Sequence, residues 1–301
     1  MSHRLRNYRR PLVALIAVVI VVAVVSAYPT TSPPRASPYQ RPLDLAVSYF
    51  VRNYSPATAL VPETPTTQTY WIYSDNYLVA LALARYDPQN SSTEAFAGAL
   101  ESAVGAFSLS FPPSLDGNQY EALNSTTASF NCSSNHVLTW SGEPPGGTVV
   151  YATTSNDGSP ACASQNYADL YLLQAVYYHR LGNATAALHY YQLAARDFNG
   201  VGIVDLANAN SPHVYQTYKL ALYVYATYCL GEQATATSLS AAEGTLLSLQ
   251  SASTGGFATA YGPNPTSLSA PGVAPLSGPN TETTALAALA LELMINPAGP
   301  C

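Results

Sequence analysis

The chain has 301 residues, of which 48% are hydrophobic and only 9% are charged, against ~25% charged residues in an ordinary soluble domain. After the first apolar run the sequence keeps seven basic residues against all 17 acidic ones, a formal charge of −10. This balance argues against a nucleic-acid partner, because no basic face is left to neutralise phosphates. The length allows one large domain or two small ones. We interpret the sparse charge and abundant Tyr as a surface suited to acidic surroundings.

The N-terminus carries an export signal. Residues 1–10 are rich in Arg and precede an uncharged apolar run at residues 12–27, which ends in small residues. The pattern predicts either a cleaved signal peptide at residues 1–27 or an uncleaved membrane anchor through residues 12–27. Both alternatives place the rest of the chain outside the cytoplasm, in an extracellular or cell-surface location. Repeated Pro among Ser and Thr predicts an extended stalk at residues 28–42, followed by an ectodomain at residues 43–301.

Five Asn-x-Ser/Thr sequons favour a glycosylated protein and so support export independently. A single sequon is weak evidence in a chain so rich in Ser and Thr. Five sequons together with the N-terminal leader favour an exported, glycosylated protein. The sequon residues are Asn53, Asn90, Asn124, Asn131 and Asn183.

From residue 43 onward the pattern is helical, and two kinds of segment alternate. Four segments are apolar on almost every side and must therefore be surrounded by protein; they are residues 70–86, 167–181, 212–230 and 281–295. Three others are rich in small and polar residues; they are residues 93–108, 184–198 and 234–250. The alternation predicts a mainly α fold, an α/α toroid built as an incomplete barrel of helical hairpins. A tetratricopeptide-type solenoid is the second interpretation, but its repeat of about 34 residues is absent.

Local signals predict where several helices begin and end. Ser91 with Glu94 forms a capping box, and Ser211 followed by Pro212 predicts a helix start. Gly182 and Gly231 stand where helices commonly end in a left-handed residue.

One segment breaks the helical pattern. Residues 112–165 are rich in Gly, Pro, Asn and Ser, and two β-prone runs within them predict a β-hairpin insertion. An oxidising exterior permits disulfides, and the simplest of three pairings joins the two cysteines of the insertion and the two remaining ones. The pairs would be Cys132 with Cys162, and Cys229 with Cys301.

The four apolar segments share one feature, which is that their polar side chains lie near their first turns. If these helices are parallel, the polar tips meet at one end of a central cavity, where aromatic faces and carboxylates suit sugar rings. We assign Asp75 and Glu282 as candidate acid and base. The candidate substrate-binding residues are Trp71, Tyr73, Asn76, Asp169, His213, Tyr215 and Asn280. The competing interpretation is that several of these residues only cap helices.

The sequence predicts no metal and no cofactor. Its five His residues lack metal-ligand spacing, and no Gly-rich phosphate loop or nucleophile elbow is present.

The C-terminal part resembles a repeat of the α/α-toroid superfamily, which includes terpene cyclase and prenyltransferase repeats and several carbohydrate-active enzymes. The similarity lies in Leu249-Gln250, in Gly255-Gly256-Phe257 and in the Ala/Leu helix that follows Asn280-Thr281-Glu282, over about residues 249–293. The resemblance implies the toroid fold and no particular chemistry. Neither the Asp-rich motif of terpene cyclases nor the zinc set of prenyltransferases is found in the chain.

Two functional hypotheses follow. The first is an exported enzyme that hydrolyses, eliminates or epimerises a glycan or polysaccharide with paired carboxylates. The second is a non-catalytic surface module that binds a glycan or a neighbouring envelope protein. Geometry distinguishes them, because an enzyme of this kind needs two carboxyls about 5–10 Å apart across an open cleft.

Overall fold

The computed structural model describes most of the predicted ectodomain. The described residues are 37–86, 91–108, 119–125, 132–140, 147–155, 167–208, 211, 213–231, 236–264 and 272–301. The predicted leader, most of the stalk, and positions Asn90, Asn131 and Cys162 lie outside these ranges. Within them, no helix combines the length and the hydropathy that a membrane span requires.

The chain is mainly helical, with two small three-stranded sheets. The helices are α1 (Gln40–Asn53), α2 (Tyr73–Tyr86), α3 (Ser91–Ser108), α4 (Ala168–Arg180), α5 (Ala184–Ala195), α6 (Thr217–Leu230), α7 (Ala236–Ser248) and α8 (Thr281–Ile295). The strands are β1 (Tyr70–Ile72), β2 (Cys132–Trp140), β3 (Gly147–Ser155), β4 (Tyr215–Gln216), β5 (Ala260–Pro263) and β6 (Val273–Pro275). Short 3₁₀ turns cover Gln119–Leu123 and Leu206–Asn208.

Helices α6 and α8 are buried on almost every side. In α8, every residue is buried except Glu282, Glu292 and Ile295. The core therefore forms around the apolar helices, because burying each Leu or Val side chain contributes about 1.5–3 kcal/mol. Helix α8 packs against α1, α2 and α6, while α6 also packs against α4. The Gln119–Leu123 turn contacts α4 and α2, and helices α3, α5 and α7 each pack on the apolar helix that precedes them.

The predicted hairpin in the insertion is confirmed. Strands β2 and β3 are antiparallel, with Trp140 opposite Gly147 at the turn end. Strand β1 adds to the sheet in parallel with β3, so that Trp71 lies opposite Val149. Gly147 is needed at this place, since a Cβ there would lie 2.3 Å from the Trp71 ring. The prediction of helix over residues 70–72 was wrong, because this strand pairing uses their backbone.

A second sheet was not predicted. Strand β4 pairs with β5, and β5 pairs with β6, all antiparallel. These strands are two to four residues long, which is too short for a periodic pattern to appear in the sequence. Pro212, the predicted helix start, lies outside the described residues. The prediction of helix over residues 213–216 was wrong, since Tyr215 and Gln216 form a strand and α6 begins at Thr217.

The Gln-Gly-Gly-Phe stretch that carries the family resemblance has a structural role. Gln250 Nε2 donates to the carbonyl oxygens of Pro42 and Gly255, over 2.7 and 2.9 Å. Gly255 has φ +75°, and a Cβ there would lie 2.1 Å from the carbonyl oxygen of Leu45. The backbone N–H of Phe257 donates to Thr284 Oγ1 over 3.0 Å. The stretch therefore fixes α1 and the start of α8 against each other.

The last turns of the apolar helices meet around the C-terminal residues. Arg85, at the end of α2, donates to Tyr225 Oη of α6 over 2.8 Å and to the carbonyl oxygen of Pro300 over 3.1 Å. The predicted disulfide between Cys229 and Cys301 is confirmed, with 5.4 Å between the two Cα atoms. It joins the end of α6 to the C-terminal residues. Gly231 ends α6 in the left-handed conformation, as predicted.

Candidate functional site

The first turns of α2, α4, α6 and α8 lie together at the other end of the helices, which we call the acidic end. Its residues are Glu63, Asp75, Tyr120, Asp169, Asp205, Tyr218, Lys219 and Glu282. Tyr120 Oη donates to Glu282 Oε1 over 2.5 Å, which joins α8 to the Gln119–Leu123 turn. Tyr218 Oη donates to Asp169 Oδ2 over 3.1 Å, which joins α6 to α4. Side chains far apart in sequence are therefore neighbours here.

Asp75, on the first turn of α2, is a buried carboxyl of the acidic end, with 1% exposure. Its Oδ1 accepts a long hydrogen bond of 3.5 Å from Ser74 Oγ, and its Oδ2 has no hydrogen-bond partner among the described residues. Burial raises the pKa of Asp75 well above its ordinary value, and the carboxyls of Glu282 and Glu63 raise it further. Desolvation and like charges both favour the protonated form, so this carboxyl can serve as a proton donor.

Glu282, on the first turn of α8, has a different environment. It is partly exposed, and it accepts the short hydrogen bond from Tyr120. Burial raises the pKa of Glu282, whereas the Tyr120 hydrogen bond lowers it, because this bond stabilises the ionised form. The two carboxyls interact electrostatically, but Asp75 accepts one long hydrogen bond whereas Glu282 accepts a short one from a phenol. Unequal surroundings of this kind give two carboxyls different pKa values, so that one can act as an acid and the other as a base.

The third group of the acidic end is built on Lys219, which is the one Lys in the sequence and is 1% exposed. Its Nζ lies 2.5 Å from Asp205 Oδ2 and 3.7 Å from Asp169 Oδ1. Asp205 also accepts the backbone N–H of Ala168 over 2.9 Å, which fixes the start of α4. Sequence reasoning missed Lys219 and Asp205. A single Lys inside an otherwise apolar helix was the signal for Lys219, because a buried ammonium requires a carboxylate partner.

Glu63 is brought to the acidic end by backbone contacts. Its carbonyl oxygen accepts the N–H of Thr281 over 2.8 Å, and its own N–H donates to the carbonyl oxygen of Tyr70 over 3.1 Å. Burial raises the pKa of its partly buried carboxyl. Sequence reasoning missed Glu63 too, since it lies in a loop without a periodic pattern.

Several predicted binding residues have contacts within the protein. Asn76 is fully buried, and its amide bonds the N–H and carbonyl of Val61 over 2.8 and 2.9 Å. Asn280 caps α8 by accepting the N–H of Thr283 over 2.9 Å. Trp71 is 1% exposed in a small hydrophobic cluster, against which Tyr73 packs. These contacts fit the capping and packing interpretation of the residues concerned.

The remaining two predicted binding residues lie in the second sheet and in the turn that precedes it. Tyr215 is buried in β4, accepts a hydrogen bond from Asn199 Nδ2 over 3.1 Å, and stacks at a tilt on Tyr261. His213 is exposed, with φ +73°, in the turn before β4. Of the predicted set, Asp75, Asp169 and Glu282 are therefore the residues whose carboxyls contribute to the acidic end.

Three sequons fall within the described ranges. Asn53 donates from its amide to the Tyr49 carbonyl over 2.8 Å at the end of α1. Asn124 and Asn183 are exposed, and Asn183 caps α5 through its amide oxygen, which accepts the N–H of Ala186 over 3.1 Å. Sites Asn124 and Asn183 are therefore the accessible ones for a glycan.

The described residues contain no group of three or more His, Cys, Asp or Glu side chains placed to hold a metal ion. What the acidic end can do chemically is donate and accept protons and accept hydrogen bonds. Its residues include five carboxyls and one ammonium group, so its net charge is negative wherever more than one of these carboxyls is ionised.

The chain was also compared with known proteins. No family model, no curated protein and no solved structure matches it.

Proposed function

We propose that this protein is an exported, cell-surface α/α toroid whose acidic end is a carbohydrate site with paired catalytic carboxyls. The toroid is supported by the order of neighbours, in which α2 packs on α8, α8 on α6, and α6 on α4. The Gln119–Leu123 turn lies between α4 and α2, and α1, α3, α5 and α7 pack outside. An α/α toroid has inner helices arranged in a ring, each paired with an outer helix, and the observed order of neighbours fits a ring of four such pairs.

The observation that carries the catalytic proposal is the placement of Asp75 and Glu282 on the first turns of two packed helices in unequal environments, with Asp75 Oδ2 buried without a partner among the described residues and Glu282 bonded by Tyr120. In glycoside hydrolysis, Asp75 donates its proton to the glycosidic oxygen as the bond to the anomeric carbon breaks. Glu282, whose ionised form accepts the hydrogen bond from Tyr120, takes a proton from the water that adds to that carbon. The same pair serves an epimerase, in which one group removes a proton and the other returns one. Both reactions require one of the two carboxyls to be protonated while the other is ionised, and the unequal surroundings of Asp75 and Glu282 favour such a difference.

Export and glycosylation are part of the proposal. They are supported by the Arg-rich leader with its apolar run, by the exposed sequons Asn124 and Asn183, and by the disulfide between Cys229 and Cys301. The apolar run anchors the protein in the membrane if it is not cleaved.

The test is an activity screen of the purified full-length protein against a panel of polysaccharides, read as release of reducing ends or as epimerised product. Asp75→Asn and Glu282→Gln should each lower kcat by about 10²–10⁴-fold, the usual contribution of a positioned acid or base. Glu94→Gln is the matched control, because Glu94 is an exposed carboxyl on α3. Full activity in both site variants would refute the catalytic assignment.

The second candidate is a non-catalytic module that binds a glycan or an envelope protein through the same end. The deep burial of Asp75 and the engagement of Asn76 and Asn280 by the protein's own backbone favour it. Binding of a glycan without turnover, reduced equally by both site variants, would support this candidate over the enzyme.

A further inference from the structure

The acidic end has an unusual balance of hydrogen-bond donors and acceptors. Its described carboxyls are Glu63, Asp75, Asp169, Asp205 and Glu282. The ion pairs formed by the described residues all use Lys219, and its Nζ lies closest to Asp205. The phenols of Tyr120 and Tyr218 already donate their protons to Glu282 and Asp169. The acidic end therefore holds five carboxyls and one ammonium group, and that ammonium group is already paired.

A second, independent feature indicates that a ligand completes this end. Asp75 Oδ2 is buried without a hydrogen-bond partner among the described residues, in a carboxyl that is 1% exposed and interacts electrostatically with Glu282 and Glu63. Buried polar atoms in folded proteins are hydrogen-bonded in the large majority of cases. A bound group that brings donors would satisfy this oxygen.

We propose that the acidic end binds an amine-bearing sugar, a glucosamine-type unit with a free ammonium group, in preference to neutral or anionic sugars; this rests on the proposed carbohydrate function. An ammonium group brings three N–H donors, one of which can bond Asp75 Oδ2, and one positive charge, which offsets the excess of carboxyls over cations. Complementary charge selects the ligand, and like charge rejects its competitors.

The same charge balance narrows the reaction class. Elimination from a uronic acid requires a cation or strong donors to neutralise the substrate carboxylate as charge develops beside it. Lys219 is 1% exposed and already paired with Asp205 and Asp169, so it does not meet this need. Hydrolysis or epimerisation of an amino sugar remains compatible with the site.

The experiment compares three oligosaccharides of equal length by calorimetry on the full-length protein at about pH 6, where a sugar amine carries its proton. They are a glucosamine oligomer, its fully N-acetylated form and a galacturonic acid oligomer. We expect the glucosamine oligomer to bind at least tenfold more tightly than the N-acetylated one, about 1.4 kcal/mol. The galacturonic acid oligomer should show no binding at the same concentration. Added salt should reduce the difference, because it screens the charges.

Glu63→Gln is the variant of choice, since Glu63 is held by its backbone atoms and the substitution keeps them. It should reduce the preference for the glucosamine oligomer at least threefold, whereas Glu94→Gln on the exposed face of α3 should leave it unchanged. A thermal unfolding curve for each variant verifies that it is folded.

The outcomes separate the two proposals. Equal affinity for the free and N-acetylated oligomers, or binding of the galacturonic acid oligomer, overturns the inference and leaves the carbohydrate function standing. Failure of all three oligomers to bind overturns the carbohydrate function. If a simple polyamine binds as tightly as the glucosamine oligomer, the site recognises the amine but not the sugar ring.

Discussion

The buried carboxyl of Glu292, near the end of α8 opposite the acidic end, makes protein stability depend on pH in a defined direction. Both of its oxygens are buried and have no hydrogen-bond partner among the described residues. Burial raises the pKa of Glu292 well above its ordinary value, and the nearby Arg85 guanidinium opposes this shift. The folded protein therefore keeps this proton at pH values at which the unfolded chain has released it.

The sign and size of the effect follow from proton linkage. Since the folded state binds more protons at this site, the free energy of unfolding falls as the pH rises above the unfolded pKa of about 4.3. The loss is about 1.4 kcal/mol per pH unit and stops at the raised pKa of the folded protein. Glu292→Gln removes the titration. From about pH 5 upward, the free energy of unfolding of the variant should rise relative to that of the wild type by about 1.4 kcal/mol per pH unit. This corresponds to a difference in Tm of about 3–5 °C per pH unit.

The assay is thermal unfolding followed by circular dichroism between about pH 4 and pH 7 at constant ionic strength. The slope is the readout, because a Gln amide at this position also lacks partners and shifts the whole curve. Glu101→Gln, at an exposed position in the middle of α3, is the matched control. Parallel curves for Glu292→Gln and the wild type would refute the reasoning.

Three further predictions concern packing, the disulfide and the site. Gly255→Ala should destabilise the protein by about 2–4 kcal/mol, because its φ is +75° and the new Cβ meets a backbone oxygen. Gly244→Ala, on an exposed helical position with no atom within 4 Å, should instead stabilise it by about 0.5–1 kcal/mol; equal Tm changes would contradict this. Cys301→Ser opens a loop with a sequence separation of 72 and should cost about 4 kcal/mol in urea unfolding; an unchanged midpoint would count against it. Tyr120→Phe should raise the pKa of Glu282, since it removes a bond that lowers it; NMR titration of labelled Glu carboxyls measures this, and a lowered value would contradict it.

Five carboxyls of the described residues have pKa values that shift in the same direction. Burial raises the pKa values of Glu63, Asp75, Asp197, Glu282 and Glu292. Each of these groups binds its proton more tightly in the folded protein than in the unfolded chain, so each favours folding in mild acid over neutral pH. A fold that persists in mild acid therefore stays a prediction, which unfolding at about pH 4 would contradict.

The local pattern of the sequence determined the helices and the hairpin. An uninterrupted Ala/Leu run after Asn280 predicts α8 with its observed bounds, because a helix without a polar face has to be buried. The turn-rich insertion predicts the β2–β3 hairpin, and the two C-terminal cysteines predict the disulfide that the structure contains. Each of these features depends on neighbouring residues or on covalent chemistry, which a sequence displays directly.

Tertiary structure alone decided which polar groups meet. Asp205 pairs with Lys219, and Tyr120 reaches Glu282 across 162 positions of the chain, contacts that no local pattern encodes. The same packing used Asn76 to hold the backbone of Val61, although its residue type suits a ligand equally well. The physical reason is that apolar burial is non-directional and readable from composition, whereas a hydrogen bond or an ion pair depends on the position of two atoms, which the assembled helices fix.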